Sequence, residues 1–365
     1  MATGEQTSLA DRKRRAGQRL IVGLAGPTPS PEFRAFCQSV NPGGFILFRR
    51  NVEEPQQVKE LNRELTGLVL DQTPPFLSVD QEGGRVQRVR ETQWPPMRDV
   101  GNIDNLETTK QVAKGLADEL GAMGFNVNWA PVADVDSNPK NPVIGDRSFS
   151  REPETCARHV AAFIATMQKH GVIGSAKHFP GHGDTTVDSH LDLPIVEKDR
   201  GDLYDCEMVP FRAAIAAGVG FVMTAHVLFP AWDEAVPATM SEPIIRNILR
   251  NELGFEGVVV SDDLEMKAVR DRYPLDRQLS LASQATVDAF LVCESLDLQM
   301  EAFETLVRLQ EKDPRHEQLA IDAVQRIGQL RERFFLHPPP PPELSVVGSL
   351  DHKMIAKTIQ QRGRG

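Results

Sequence analysis

The fold class this sequence predicts is a single-domain (β/α)8 TIM barrel, and three observations point to it. Eight short apolar runs recur along the 365 residues. Helix-patterned segments separate them. In six of the eight runs, a polar residue stands at or just after the C-terminal end: Asp80, Asp134, Lys177 with His178, His226, Asp262 and Glu294. In a barrel those ends converge on one face, where catalytic groups sit.

The runs read, in order, RLIVGLAG from Arg19, GGFILF from Gly43, PFLSVD from Pro75 and NVNWAPVADV from Asn126. IGSAKHF from Ile173, GFVMTAHV from Gly220, GVVVSDD from Gly257 and AFLVCE from Ala289 complete the set. Most are near-continuously apolar rather than alternating, as parallel strands buried on both faces should be. Between them, TTKQVAKGLADELGAMG repeats Val112, Leu116, Leu120 and Met123 at helical spacing. EPETCARHVAAFIATMQKHG opens on acids and closes at Gly171, as a helix start and stop would. Strands alternating with helices imply right-handed βαβ units. A doubly wound open sheet shares this pattern and is the alternative. The expected division is an N-terminal extension (1–18), the barrel (19–336), then a spacer and tail (337–365), the spacer being the polyproline run Pro338–Pro342.

Composition narrows the function. The chain is 40% hydrophobic and 25% charged, with a net charge of −10. It has no basic domain with which to neutralise phosphates, so nucleic acid is not an expected partner. No segment approaches the ~18 apolar residues of a membrane span, and the N-terminus lacks the apolar core of a secretory signal. The four scattered cysteines (Cys37, Cys156, Cys206, Cys293) form no CxxC pair. The expectation is a cytoplasmic monomer with reduced thiols.

The densest cluster of titratable groups is KHFPGHGDTTVDSH, Lys177–His190. Three readings compete for it. His178, His182 and His190 with Asp184 and Asp188 are of the types that bind zinc, but the i, i+4, i+12 spacing crosses a PGHG break that no helix spans. An exposed polar turn is the plainest reading. The third is an acid/base device: in Asp188-Ser-His190 a carboxylate fixes the tautomer of an imidazole and favours its proton. Such a group needs a carboxylate partner elsewhere, and Asp262 stands at the end of a buried run.

This stretch resembles the acid/base loop of glycoside hydrolase family 3, in its β-N-acetylhexosaminidase branch (the NagZ type). VDQEGGRVQR (79–88), NWAPVADV (128–135), NPVIGDRSF (141–149), MTAHV (223–227) and PATMS (237–241) resemble the same branch in the same order. The resemblance implies Asp262 as the nucleophile of a covalent glycosyl-enzyme, His190 as general acid/base and Asp188 as the carboxylate that tunes it. It implies that Asp80, Arg88, Arg147, Lys177 and His178 hold the terminal sugar through its hydroxyls, with no cofactor and no metal. The implied substrate is a peptidoglycan fragment, including 1,6-anhydro-muropeptides, that loses a terminal β-linked N-acetylglucosamine during cell-wall recycling.

Gly83 and Gly84 permit a tight turn after Asp80. The cations of Arg88, Arg147 and Lys177 are expected to keep Asp262 ionised. Gly181 and Gly183 are expected to let the loop fold over the barrel mouth with His190. The family usually shows a glycine-containing turn before the last strand and an asparagine after it, whereas this chain has SQATVDAFLVCES with Glu294, so the eighth loop is expected to differ. A β-glucosidase, a β-N-acetylglucosaminide phosphorylase and a catalytically silent sugar-binding protein are the alternatives.

Most retaining glycosidases pair two carboxylates, and an imidazole in the acid position spares an anionic substrate one repulsion. His190→Glu should therefore slow turnover of anionic fragments at least about fivefold more than that of a neutral glucosaminide, the equivalent of ~1 kcal/mol of like-charge repulsion. Equal losses in kcat/KM for the two substrates would refute this account.

Overall fold

All eight apolar runs form parallel strands, in a computed structural model that describes residues 7–70, 74–186 and 193–364. Asp188 and His190 lie outside the described residues. The strands are β1 (Leu20–Gly23), β2 (Gly44–Leu47), β3 (Phe76–Val79), β4 (Val127–Asn128), β5 (Ile173–Phe179), β6 (Phe221–Thr224), β7 (Val258–Val260) and β8 (Phe290–Val292). Each pairs with its sequence neighbour, and β8 pairs with β1 through Leu20↔Phe290, Ile21↔Leu291 and Val22↔Val292. A parallel bridge, Val260↔Ala289, joins β7 to β8. It is supported by Ala289 N–H donating to Val259 O at 3.1 Å and Ser261 N–H to Ala289 O at 3.0 Å. The sheet is thus a barrel, and the open-sheet alternative does not hold.

Strands that read as continuously apolar divide their residues between two separate cores. Ile21, Ile46, Phe76, Val127, Ile173, Phe221, Val258, Val260 and Leu291 point inward and pack together. Their neighbours Leu20, Val22, Phe45, Leu47, Leu77, Val79, Val222 and Val259 join the helices outside. Because strand side chains alternate, two buried faces require apolar residues at every position.

Inside the barrel, Phe221 meets both Phe76 and Trp129 edge-on, with centroids 5.1 Å apart in each case. The helix Pro314–Phe335 closes the N-terminal end, adding Ile327, Leu330, Phe334 and Phe335 to this core. Its Arg331 donates to Gly43 O at 2.7 Å. That end is plugged, so the opposite mouth is the place for a ligand.

The two helix-patterned segments fold as helices Leu106–Ala122 and Pro153–Lys169. Beyond the barrel run, the first helix, Leu9–Gln18, is tied on by Arg15, which bonds Glu317 at 2.9 Å. At the other end, Pro339 lies against Gly171. The helix Leu350–Gly363 then packs on helices Met97–Ile103 and Leu106–Ala122. No helix among the described residues is long and apolar enough to cross a membrane.

Glu119 is the hub of that C-terminal packing. Its buried carboxylate accepts from Trp94 Nε1 at 3.1 Å, Gly348 N at 3.1 Å, His352 Nδ1 at 2.8 Å and the Thr92 hydroxyl. Removing it strands several buried donors, each costing about 1–3 kcal/mol when unmet. Glu119→Ala should lower unfolding free energy by about 3 kcal/mol or more, measured by urea denaturation.

Candidate active site

The strand ends build one cavity of about 340 Å³. Asp80, Lys177, His178, Asp262 and Glu294 line it, together with Glu82, Arg88, Arg147, Phe48 and Arg50. Asp134 and His226, the remaining polar strand ends, are buried.

After β3 the chain turns back as a hairpin, Gln81–Gly83 pairing with Val86–Gln87. The turn needs its glycines, since Gly83 has φ +103° and Gly84 φ +57°. A Cβ on Gly83 would stand 2.3 Å from Pro95 O. The hairpin delivers both Asp80 and Glu82 to the cavity. From β5, where the Lys177–His178 peptide is cis, Lys177 Nζ donates to Asp80 Oδ1 at 2.8 Å and meets Glu82 Oε1 at 2.6 Å. Arg147 grips Glu82 with two bonds of 2.8 Å, from Nε and Nη2. Arg88 reaches Asp80 Oδ2 at 3.5 Å and lies over the Phe48 ring at 5.6 Å. Arg50 covers the same ring at 4.7 Å.

These pairings set the charge states. Burial opposes a Glu82 carboxylate, but Arg147 and Lys177 hold it far below the ordinary carboxylate range. Lys177 is likewise pushed down by burial and more than restored by Asp80 and Glu82. Both remain charged at neutral pH.

Asp262 follows β7, and its Oδ1 accepts the Asp263 N–H at 2.8 Å. Burial again works against the anion. His178 first, then His226, the Asp263 N–H and Lys177 together bring its pKa below the ordinary aspartate value. On sequence grounds that task belongs to Arg88, Arg147 and Lys177. The structure gives the larger share to two imidazoles, because the arginine charges are spent on Asp80 and Glu82.

His178 is held from behind. Its Nδ1 lies 2.7 Å from Asp134 Oδ2, and its backbone N–H donates to Asp134 Oδ1 at 3.1 Å. The His182 N–H donates to the same Oδ1 at 2.7 Å. Burial and the neighbouring His178 charge push His182 down to about 4, so it stays neutral. His226 Nε2 donates to Asp263 O at 3.0 Å, and burial lowers its pKa.

In the described part of the loop, the glycines serve close packing. A Cβ on Gly183 would stand 1.5 Å from Val135 O, and one on Gly181 2.5 Å from Glu207 Cγ. Asn141 Nδ2 donates to His182 O at 2.8 Å and Gly183 O at 3.0 Å. The segment is thus built onto the chain that follows β4.

This arrangement places an ionised carboxylate beside imidazoles, in a small polar cavity walled by fixed donors and acceptors. That is suited to nucleophilic attack on a polyhydroxylated substrate. The glycosyl hydrolase family 3 N terminal domain model matches residues 15–330. The chain belongs to glycoside hydrolase family 3. A β-hexosaminidase of Nitrosomonas eutropha is 39% identical over 296 residues, spanning 79% of this chain and 84% of that protein. A family 3 β-N-acetylglucosaminidase from Paenibacillus sp. str. FPU-7 superposes with a TM-score of 0.90 at 38% identity, covering 96% of this chain and 68% of that one. NagZ from Neisseria gonorrhoeae, in complex with N-trifluoroacetyl-D-glucosamine, gives 0.78 at 31% identity over 94% and 98% of the two chains. Family membership therefore agrees with what the motifs implied, and the protein is a glycoside hydrolase.

Glu82, Phe48 and Arg50 escaped the sequence reading. For Glu82 the signal was present, since it stands two residues after Asp80 on a turning segment. Phe48 closes an apolar run and Arg50 lies just beyond it, with nothing local to mark either.

Asp263 differs from its neighbour. Burial first, then the charges of Glu265 and Asp262, push it up to about 7 from a usual 3.8. Between those two pH values the folded chain keeps a proton that the unfolded chain has lost, so stability falls as pH rises. Asp263→Asn removes this penalty while keeping an oxygen for the Glu265 and Cys293 N–H groups. The melting temperature of Asp263→Asn relative to the parent should climb by several degrees from pH 4 to pH 8, measured calorimetrically. A constant difference would refute the assignment.

Proposed function

We propose that this family 3 hydrolase is a retaining β-N-acetylhexosaminidase. It removes terminal, non-reducing β-linked N-acetylglucosamine from peptidoglycan fragments, including 1,6-anhydro-muropeptides, in cytoplasmic cell-wall recycling. The observation that carries the reading is Asp262: a half-buried carboxylate below its usual pKa, at the end of β7, in a cavity of about 340 Å³. A space that size, at the low end for small-molecule sites, suits one terminal sugar. The names of the three relatives above support the N-acetylated hexose, and the motifs support the muropeptide and its location.

In this reading Asp262 attacks the anomeric carbon and forms a covalent glycosyl-enzyme. An acid protonates the departing glycosidic oxygen, then as a base takes a proton from the water that releases the sugar with β configuration retained. His190, oriented by Asp188, is the group proposed for both proton transfers. Asp80 has two carboxylate oxygens to accept sugar hydroxyl protons, and Lys177, Arg88 and His178 are the donors around it. Arg147 spends two donors on Glu82, so its part is chiefly to hold that wall.

A chromogenic β-N-acetylglucosaminide, with and without phosphate, tests the proposal. Free β-N-acetylglucosamine as first product in both conditions is expected. Sugar 1-phosphate would make the protein a phosphorylase, a first-formed α anomer would exclude retention, and binding without turnover would make it a sugar-binding protein. Asp262→Asn should reduce kcat by roughly four orders of magnitude or more, as loss of a nucleophile does.

A further inference from the structure

Asp134 has no role in the chemistry above, yet it is a fully buried carboxylate directly behind a cavity-lining imidazole. We propose that Asp134 is a positioning residue of the reaction: it holds His178 with the proton on Nδ1 and turns Nε2 toward the cavity, beside the nucleophile Asp262. The proposal rests on the hydrolase reading in that Asp262 is taken as the nucleophile.

The geometry leaves the carboxylate little freedom. Its Oδ1 accepts two backbone N–H groups, from His178 at 3.1 Å and His182 at 2.7 Å. Its Oδ2 stands 2.7 Å from His178 Nδ1. Oδ2 also accepts the His178 backbone N–H at 3.2 Å, and a carboxylate only accepts, so the contact to Nδ1 requires an Nδ1–H donor. The backbone of Asp134 is itself fixed: Ser148 Oγ donates to its carbonyl at 2.7 Å, and the N–H of the preceding residue, Ala133, donates to Lys177 O at 2.7 Å. A rigid carboxylate at Nδ1 leaves the ring no second orientation that keeps the bond.

The adjacent residues Lys177 and His178 therefore carry separate supports. Lys177 is held by Asp80 and Glu82, and His178 by Asp134. The consequence passes to the nucleophile. The groups that act on Asp262 are His178, His226, Lys177 and the Asp263 N–H, with the Asp263 carboxyl beside it. Those around His178 are Asp134, Asp262, His182 and His226. Among them, Asp134 is the carboxylate that contacts the ring on the side away from the cavity. Taking its charge away leaves the ring without its anchor, loosens the neighbour that does most to offset the burial of Asp262, and raises the pH at which the nucleophile ionises.

Two measurements test this. The first needs no variant and no activity: ¹⁵N NMR of the histidine-labelled wild-type protein at neutral pH should find His178 protonated at Nδ1. A bare Nδ1 would overturn the proposal, even if Asp134→Asn fails to fold, and would do so whether or not the protein turns over a glucosaminide. The second is the pH profile of kcat/KM for folded Asp134→Asn on a chromogenic β-N-acetylglucosaminide. A loss of about 10- to 100-fold is expected, with the acid limb moved to higher pH. A uniform loss with an unmoved limb would mean a merely structural carboxylate and would also overturn it. Absence of turnover in the wild type would instead count against the hydrolase reading, leaving the tautomer result to decide the role of Asp134.

Discussion

Lys177 carries its ammonium into the barrel mouth and sets it between Asp80 and Glu82, with Arg147 closing the far side of Glu82. The rest of the site depends on this alternation of charge. Each ion taken out of water costs several kcal/mol, and the attraction between partners offsets that only when geometry is good and remaining hydrogen bonds are met. The two short bonds from Lys177 and the paired bonds from Arg147 satisfy that condition. What the network provides is position. It ties the hairpin after β3 and the turn at Gly145–Arg147 to strand β5, three segments far apart in sequence.

With the network in place, the chemistry becomes a matter of neighbours. Two aspartates adjacent in sequence, Asp262 and Asp263, have opposite fates. One is held below its ordinary pKa beside imidazoles; the other is raised to about 7 by burial and by the acids around it. A pair of carboxyl groups driven apart in this way marks functional sites, because one fold then holds an ionised nucleophile beside a much weaker acid. His226 joins the two: Asp263 O accepts from its ring while the ring itself favours the Asp262 anion.

Several features were legible from residue order. The eight strands, the two amphipathic helices, the glycine turn after Asp80 and the convergence of strand-end polar groups all follow from local rules: alternation, helical periodicity and the conformational range of glycine. Others were not. That Arg147 faces Glu82, or that Gly183 packs on Val135 O, depends on which loops the closed ring brings together. A sequence shows an arginine and an acid 65 residues apart, with nothing local to pair them.

The sequence by itself determined the eight buried parallel strands and the family, because such strands demand continuous apolar runs and because the motifs occur in register along the chain; closure of the ring rests on β8 pairing with β1. It also named Asp80, Lys177, His178 and Asp262 as groups of one mouth. Only the tertiary structure decided how charge is distributed there: arginines committed to Asp80 and Glu82, imidazoles beside the nucleophile, and Asp134 behind His178. Electrostatic energy falls off with distance and depends on burial, and both are set by the fold.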